Sequence, residues 1–158
     1  IDVAIYYEAG DYTGLHSVTL LNERLTPLCA PSLLEGSNPL SKPQDLKNHN
    51  LLHDFNTEDW KRWLKLADVT DVDLNRGPVF SHTSMVLQAA IYGQGVAMGH
   101  FVLSQAELLS GRLVQPFEMT MGSDLSYDIV CPKESANRPK IKAFIDWLVE
   151  TVRIEGGN

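Results

Sequence analysis

The chain is expected to fold as an α/β domain with mainly parallel strands, and three features carry that expectation. Runs rich in β-branched and aromatic residues alternate with helix-like runs along the sequence, the pattern of an α/β layer architecture. Gly77 to His100 reads as strand, capped helix, glycine stop and second strand in one unbroken stretch. From Pro139 to Val152, apolar residues recur at helical spacing. With 158 residues, 44% of them hydrophobic, the chain has enough apolar side chains for one or two compact lobes.

In chain order, Ile1 to Tyr7 (IDVAIYY) reads as a buried strand, Glu8 to Gly14 as a loop, and Ser17 to Cys29 as one or two strands. Pro39 to His49 holds a capping box, Ser41 with Gln44, and so begins a short helix. Thr57 can cap a second helix with Trp60, Trp63, Leu64 and Ala67 on one side, which makes both tryptophans core residues. Val79 and Phe80 are β-formers before the central helix, whose Met85, Val86, Ala89 and Ala90 recur at helical spacing until Gly93 stops it. Ser104 with Glu107 forms another capping box, Gly111 closes that helix, and Arg112 to Phe117 follows as a strand. Pro139 opens the last helix, where Ile141, Phe144, Ile145, Leu148 and Val152 form an apolar stripe.

Chemistry gathers at the start of the central helix. Ser81, Thr83 and Ser84 are all residues favoured at helix N-caps. A helix N-terminus presents unpaired N–H groups and partial positive charge, so flanking hydroxyls suit it to a small anion such as a carboxylate. The same hydroxyls also serve as plain caps, and the sequence leaves both readings open.

Other chemistries fare worse. Twenty acidic residues against 13 basic ones give a formal charge of −7, so the chain lacks the basic face that would neutralise phosphates and is not expected to bind DNA by itself. Gly93, Gly95 and Gly99 leave a helix for a strand, whereas a dinucleotide fingerprint leaves a strand for a helix. Ser81 beside His82 lacks the strained turn of a nucleophile elbow, and adjacent side chains at a helix start are not expected to address each other, so no enzyme activity is expected. His16, His49, His53, His82 and His100 show no ligand spacing, which argues against a metal; no cofactor is expected either. His53 and Asp54 read as a strand-end hydrogen-bond pair. Cys29 and Cys131 sit in apolar contexts before prolines and suit a reduced interior, a disulfide being the alternative. No apolar run is long enough to cross a bilayer, and a cytoplasmic protein without membrane contact is expected.

Several segments together carry a family likeness: FSHTSMVLQAAIYGQGVAMG (Phe80 to Gly99), GRLVQPF (Gly111 to Phe117), YDIVCP (Tyr127 to Pro132), IDVAIYY (Ile1 to Tyr7), LLHDF (Leu51 to Phe55) and RPKIKAFIDWL (Arg138 to Leu148). In order and spacing they resemble the effector-binding, or substrate-binding, domain of LysR-type transcriptional regulators, across nearly the whole chain. The resemblance implies a periplasmic-binding-protein-like (type 2) fold of two α/β lobes with an effector between them. Residues 1–25 and 126–158 would form the first lobe and return segment, and 26–125 the second lobe. Because the first residue is Ile1 and opens a strand, the chain is expected to be a fragment whose first lobe is incomplete and self-associates or orders poorly around Ile1 to Tyr7 and the last helix. The N-terminal winged helix-turn-helix would lie outside it.

The resemblance further implies effector contacts from Tyr6 and Tyr7 at the end of the first strand, from Ser81, His82 and Thr83 at the helix start, from Gly99 and His100 after the next strand, and from Tyr127 in the return segment. Tyr6 and Tyr7 each read equally as an aromatic packed on a neighbouring strand, and His100 as a surface residue. The implied partners are a small-molecule effector, amino-acid-like or otherwise anionic, and further copies in a homodimer or homotetramer. DNA would be reached only through the absent N-terminal domain. An exported solute-binding protein has the same fold and remains the alternative.

Overall fold

A computed structural model describes residues 1–55 and 57–156, with side chains through Arg153. The elements run β1 (Ala4–Glu8), β2 (Leu15–Leu28), β3 (Leu51–Leu52), α1 (Glu58–Leu66), α2 (Thr83–Ile91), β4 (Val96–His100), α3 (Phe101–Leu109), β5 (Met121–Pro132) and α4 (Pro139–Gly156), with short 3-10 turns at Pro31–Leu34 and Pro43–Asn48. The chain divides into two compact units, one of Ile1–Glu23 with the residues from Gly122 onward, the other of Arg24–Met121.

In the first unit the strand order is β1, β5, β2. β1 and β5 are antiparallel, with Ala4 opposite Val130 and Tyr7 opposite Tyr127. α4 starts at a proline, whose fixed φ and missing N–H suit a first helical position, and lays Ile141 and Ile145, one turn apart, on Ile129 and Cys131. Phe144 and Trp147 remain 42% and 58% exposed, so the apolar stripe of α4 is wider than its buried seam.

In the second unit β2 continues and pairs antiparallel with β4, Leu25 opposite His100, while β3 pairs parallel with β4, Leu51 opposite Val96. The expectation of mainly parallel pairing is therefore corrected to a mixed sheet. Alternating strands and helices suggest crossovers, but β1 with β5 and β2 with β4 are pairings between distant stretches that no local spacing announces. One core cluster contains Trp60 and Trp63 of α1, set edge-on at 6.4 Å, with Trp63 stacked on Phe117 at 5.5 Å. A second cluster joins Val86, Leu87, Ala89 and Ala90 of α2 to Leu28, Leu52 and Ala97 of the sheet.

Three glycines fit their surroundings for stated reasons. Gly93 (φ 70°) ends α2, donating to Ala90 O at 2.9 Å, the left-handed stop that glycine adopts without strain. Gly77 (φ 118°) lies where a Cβ would run into the Leu51 backbone. At Gly99 an added Cβ would collide with the Leu28 side chain, so β4 packs on β2 at this point through the missing side chain.

Local caps depart from expectation. Ser41 and Lys42 N–H groups both donate to Asp45 Oδ2 at 3.0 Å, so Asp45 rather than Gln44 closes the turn, which is 3-10. Thr57 occupies the position before α1 in helical conformation, without a side-chain cap. Ser104 lies inside α3, buried, donating to His100 O at 2.7 Å, because α3 begins directly after β4. Arg112 to Phe117 contributes only an isolated bridge, Val114 with Cys29, and Val79 likewise bridges His53. Cys29 and Cys131 are both free and buried. Burial pushes the Cys29 thiol up to about 12.

Candidate functional site

β3, the Val79 segment and β4 run in the same direction, so their carboxyl ends fall together. His53 sits at the centre of this edge: its N–H donates to Pro78 O at 3.1 Å, and its C=O accepts from Phe80 N–H at 2.8 Å. That pairing delivers the chain to Ser81 and His82, and α2 starts at Thr83. A helix N-terminus thus stands over the carboxyl ends of parallel strands, where open α/β sheets bind ligands.

Thr83 does not cap its own helix. Its Oγ1 donates to Asp54 Oδ2 at 3.1 Å, which ties the first helical residue to the end of β3. The first N–H bonds within the helix come from Met85 and Val86, to His82 O at 3.0 and 3.3 Å. The N–H groups of Thr83 and Ser84 precede them and have no intrahelical acceptor to reach. Ser81 Oγ lies 2.9 Å from His82 Nδ1 and 3.5 Å from Met85 Sδ, so these adjacent side chains do address each other, contrary to expectation. Both are exposed, and among the described residues no carboxylate orients the imidazole, the third element that an activated serine needs.

The residues expected to meet the effector are thus distributed as follows. Ser81, His82 and Thr83 gather at the start of α2, and His100 ends β4 near them, nine-tenths buried rather than on the surface. It lines a small buried cavity with His53, Asp54 and Asp59. Gly99 faces Leu28, a packing position. In the first unit Tyr7 and Tyr127 are cross-strand partners with rings stacked at 4.6 Å, and Tyr7 Oη lies 3.2 Å from Ser123 Oγ. Burial, with the negative charge of Glu23 and then Tyr7 beside it, pushes the Tyr127 phenol up to about 12.

Tyr6 cannot share that face, because consecutive strand residues point to opposite sides. It lies opposite Asp128 and close to Tyr12, with ring centroids 5.9 Å apart. Tyr12 Oη and Ser126 Oγ both donate to the buried Asp128 Oδ2, at 3.2 and 3.0 Å. Burial and this hydrogen bond raise the Tyr12 phenol above its ordinary value.

Sequence reasoning missed Asp54 as part of the candidate site and read it only as a partner for His53. The available signal was its place immediately after the LLH strand end, opposite a helix start in hydroxyls. His53 itself turns Nε2 toward Arg76 O, at 3.4 Å. Among the described residues no group of three or more His, Cys, Asp or Glu side chains could hold a metal ion, and no helix is long and apolar enough to cross a membrane.

Against known proteins, the family model described as LysR substrate binding domain matches residues 1–153. The chain is 42% identical over 155 residues to the glycine cleavage system transcriptional activator of Escherichia coli (strain K12), covering 98% of this chain and 51% of that protein. It is 34% identical, with the same coverage, to the glycine cleavage system transcriptional activator homolog of Haemophilus influenzae. The chain thus spans about half the length of these curated relatives. Among solved structures, the effector domain of the transcriptional regulator AmpR of Pseudomonas aeruginosa superposes with a TM-score of 0.82 at 28% identity, covering 98% of this chain and 73% of that one.

Proposed function

The chain belongs to the LysR substrate-binding domain family, and from that premise we propose that it is the part of a transcriptional regulator that senses a small carboxylate-bearing, amino-acid-like effector at the start of α2. The observation that carries the proposal is the Asp54–Thr83 bond. It fixes the α2 N-terminus over the strand ends and keeps the leading N–H groups of the helix directed at the space in front of Ser81 and His82. A carboxylate there gains charge-assisted hydrogen bonds and a favourable helix dipole together.

Ser81, His82, Thr83 and His100 are the proposed contacts in this unit, with Gly99 contributing close packing. In the first unit we propose Tyr7 and Tyr127 as contacts; Tyr6, on the other face, joins them only if the strand end turns. The relatives 42% and 34% identical to this chain are named as glycine cleavage system transcriptional activators, which supports a sensing role without catalysis, in the cytoplasm, and a regulated pathway linked to glycine cleavage. DNA contact and assembly into dimers or tetramers are proposed for the whole regulator, of which the relatives are about twice as long as this chain.

Titration calorimetry of this chain with a panel of glycine, other α-amino acids and small mono- and dicarboxylates tests the proposal. Saturable binding of at least one member is expected, with Ser81→Ala and Thr83→Val each weakening it about tenfold, the scale of one lost hydrogen bond to a charged group. Binding that both variants leave unchanged would reduce the hydroxyls to a structural role and overturn the site.

A further inference from the structure

Behind the α2 start lies a cavity of about 10 Å³, lined by Leu52, His53, Asp54, Asp59, Trp60, Val86, Met98 and His100. That is the space of one water-sized sphere. Its wall is half polar, which separates it from the dry apolar voids that cores tolerate. His53 is only 2% exposed, and its Nδ1 has no hydrogen-bond partner among the described residues.

The role of Nδ1 follows from the other ring nitrogen. Nε2 faces the Arg76 carbonyl at 3.4 Å, and a carbonyl only accepts, so Nε2 carries a proton, and a ring that holds that proton alone presents Nδ1 as an acceptor. An acceptor buried to this degree and left unpaired is costly. The wall also holds the carboxylates of Asp54 and Asp59, which accept, and the His100 imidazole. A small molecule with two protons to donate matches His53 Nδ1 and one of these carboxylates together.

We propose that the cavity is a binding site for one resident water molecule, which donates to His53 Nδ1 and to a carboxylate of Asp54 or Asp59. A bond to Asp54 would join that water to the Thr83 Oγ1 contact and so brace the first turn of α2 from behind. The site is separate from the space in front of Ser81 and His82 and does not depend on any effector binding there.

A crystal structure of this chain at about 1.5 Å resolution is the direct test. One ordered water is expected in the cavity, within ordinary hydrogen-bond distance of His53 Nδ1, about 2.7–3.2 Å. Water–protein cross-relaxation by NMR in solution should show a long-lived water near the His53 ring, and His53→Phe should abolish that signal. The imidazole nitrogen shifts should report the Nε2–H tautomer. A cavity without density, an Nδ1 satisfied by a protein donor after local repacking, or the Nδ1–H tautomer would each overturn the proposal. The effector titrations leave this outcome untouched, so the two readings fail separately.

Discussion

Thr83 and Asp54, 29 positions apart, are joined by a 3.1 Å hydrogen bond from hydroxyl to carboxylate. This single contact stands in place of the N-cap expected from three neighbouring hydroxyl residues, and it ties the start of α2 to the end of β3.

Thr83→Val keeps the shape and removes the donor. We expect a loss of about 1.5–3 kcal/mol in stability, the usual worth of a hydrogen bond to a charged group. In a double-mutant cycle with Asp54→Ala, urea denaturation should return a coupling of about 1 kcal/mol. Additive single effects would show that the bond contributes nothing to folding.

Gly99→Ala should destabilise the second unit by about 1–3 kcal/mol, because the new methyl meets the Leu28 side chain. Leu28→Ala in the same chain should recover part of that loss, although alone it opens a cavity. The measurement is the guanidinium midpoint of the three variants. A midpoint for Gly99→Ala equal to that of the parent would refute the clash.

Trp60 and Trp63 are fully buried, whereas Trp147 is 58% exposed. Iodide should therefore quench only a fraction of the native fluorescence, and Trp147→Phe should remove that fraction without moving the thermal midpoint by more than a degree or two, about the size of ordinary surface substitutions. Trp63→Ala should cost about 3–5 kcal/mol.

Alkaline titration followed at the phenolate absorbance should show Tyr127 ionising near 12, above an ordinary tyrosine value of 10.0. The sign is that of a buried acid: folding favours the neutral phenol, so its contribution is complete below the unfolded value and is lost as pH rises from there through the folded one. Tyr127→Phe should flatten the decline of stability across that window. A wild-type titration in which every tyrosine ionises near 10 would contradict the burial argument.

Much of the second unit was legible because its signals are local. Gly93 as stop, the apolar face of α2, β4 as the strand that follows it and the two core tryptophans each depend on residues within a turn or two. The capping boxes were not legible, since Ser104 and Glu107 have the right spacing for a helix start but fall within α3. Only the abrupt passage from β4 to α3 turns Ser104 inward. The pairing of β1 with β5 was equally hidden, because it joins residues more than a hundred positions apart. Within the site, the separation of Tyr6 from Tyr7 was readable from strand alternation alone, whereas the role of Asp54 required knowing that β3 ends beside α2. The family likeness pointed to the α2 start as the candidate site, and it said nothing about which hydroxyl is held by what.

Gly77 carries a consequence for genetics. Its φ of 118° and the Leu51 backbone against it exclude every other residue from the bend that leads Val79 alongside His53. In a whole regulator that senses its effector as proposed, a screen for loss of the response would therefore recover changes at Gly77 beside changes at Thr83, and the glycine alleles would mimic contact mutants while lying outside the proposed contacts. Temperature sensitivity would tell them apart: alleles of Gly77 should regain inducibility in the cold, and those that remove a true contact should stay silent at every temperature.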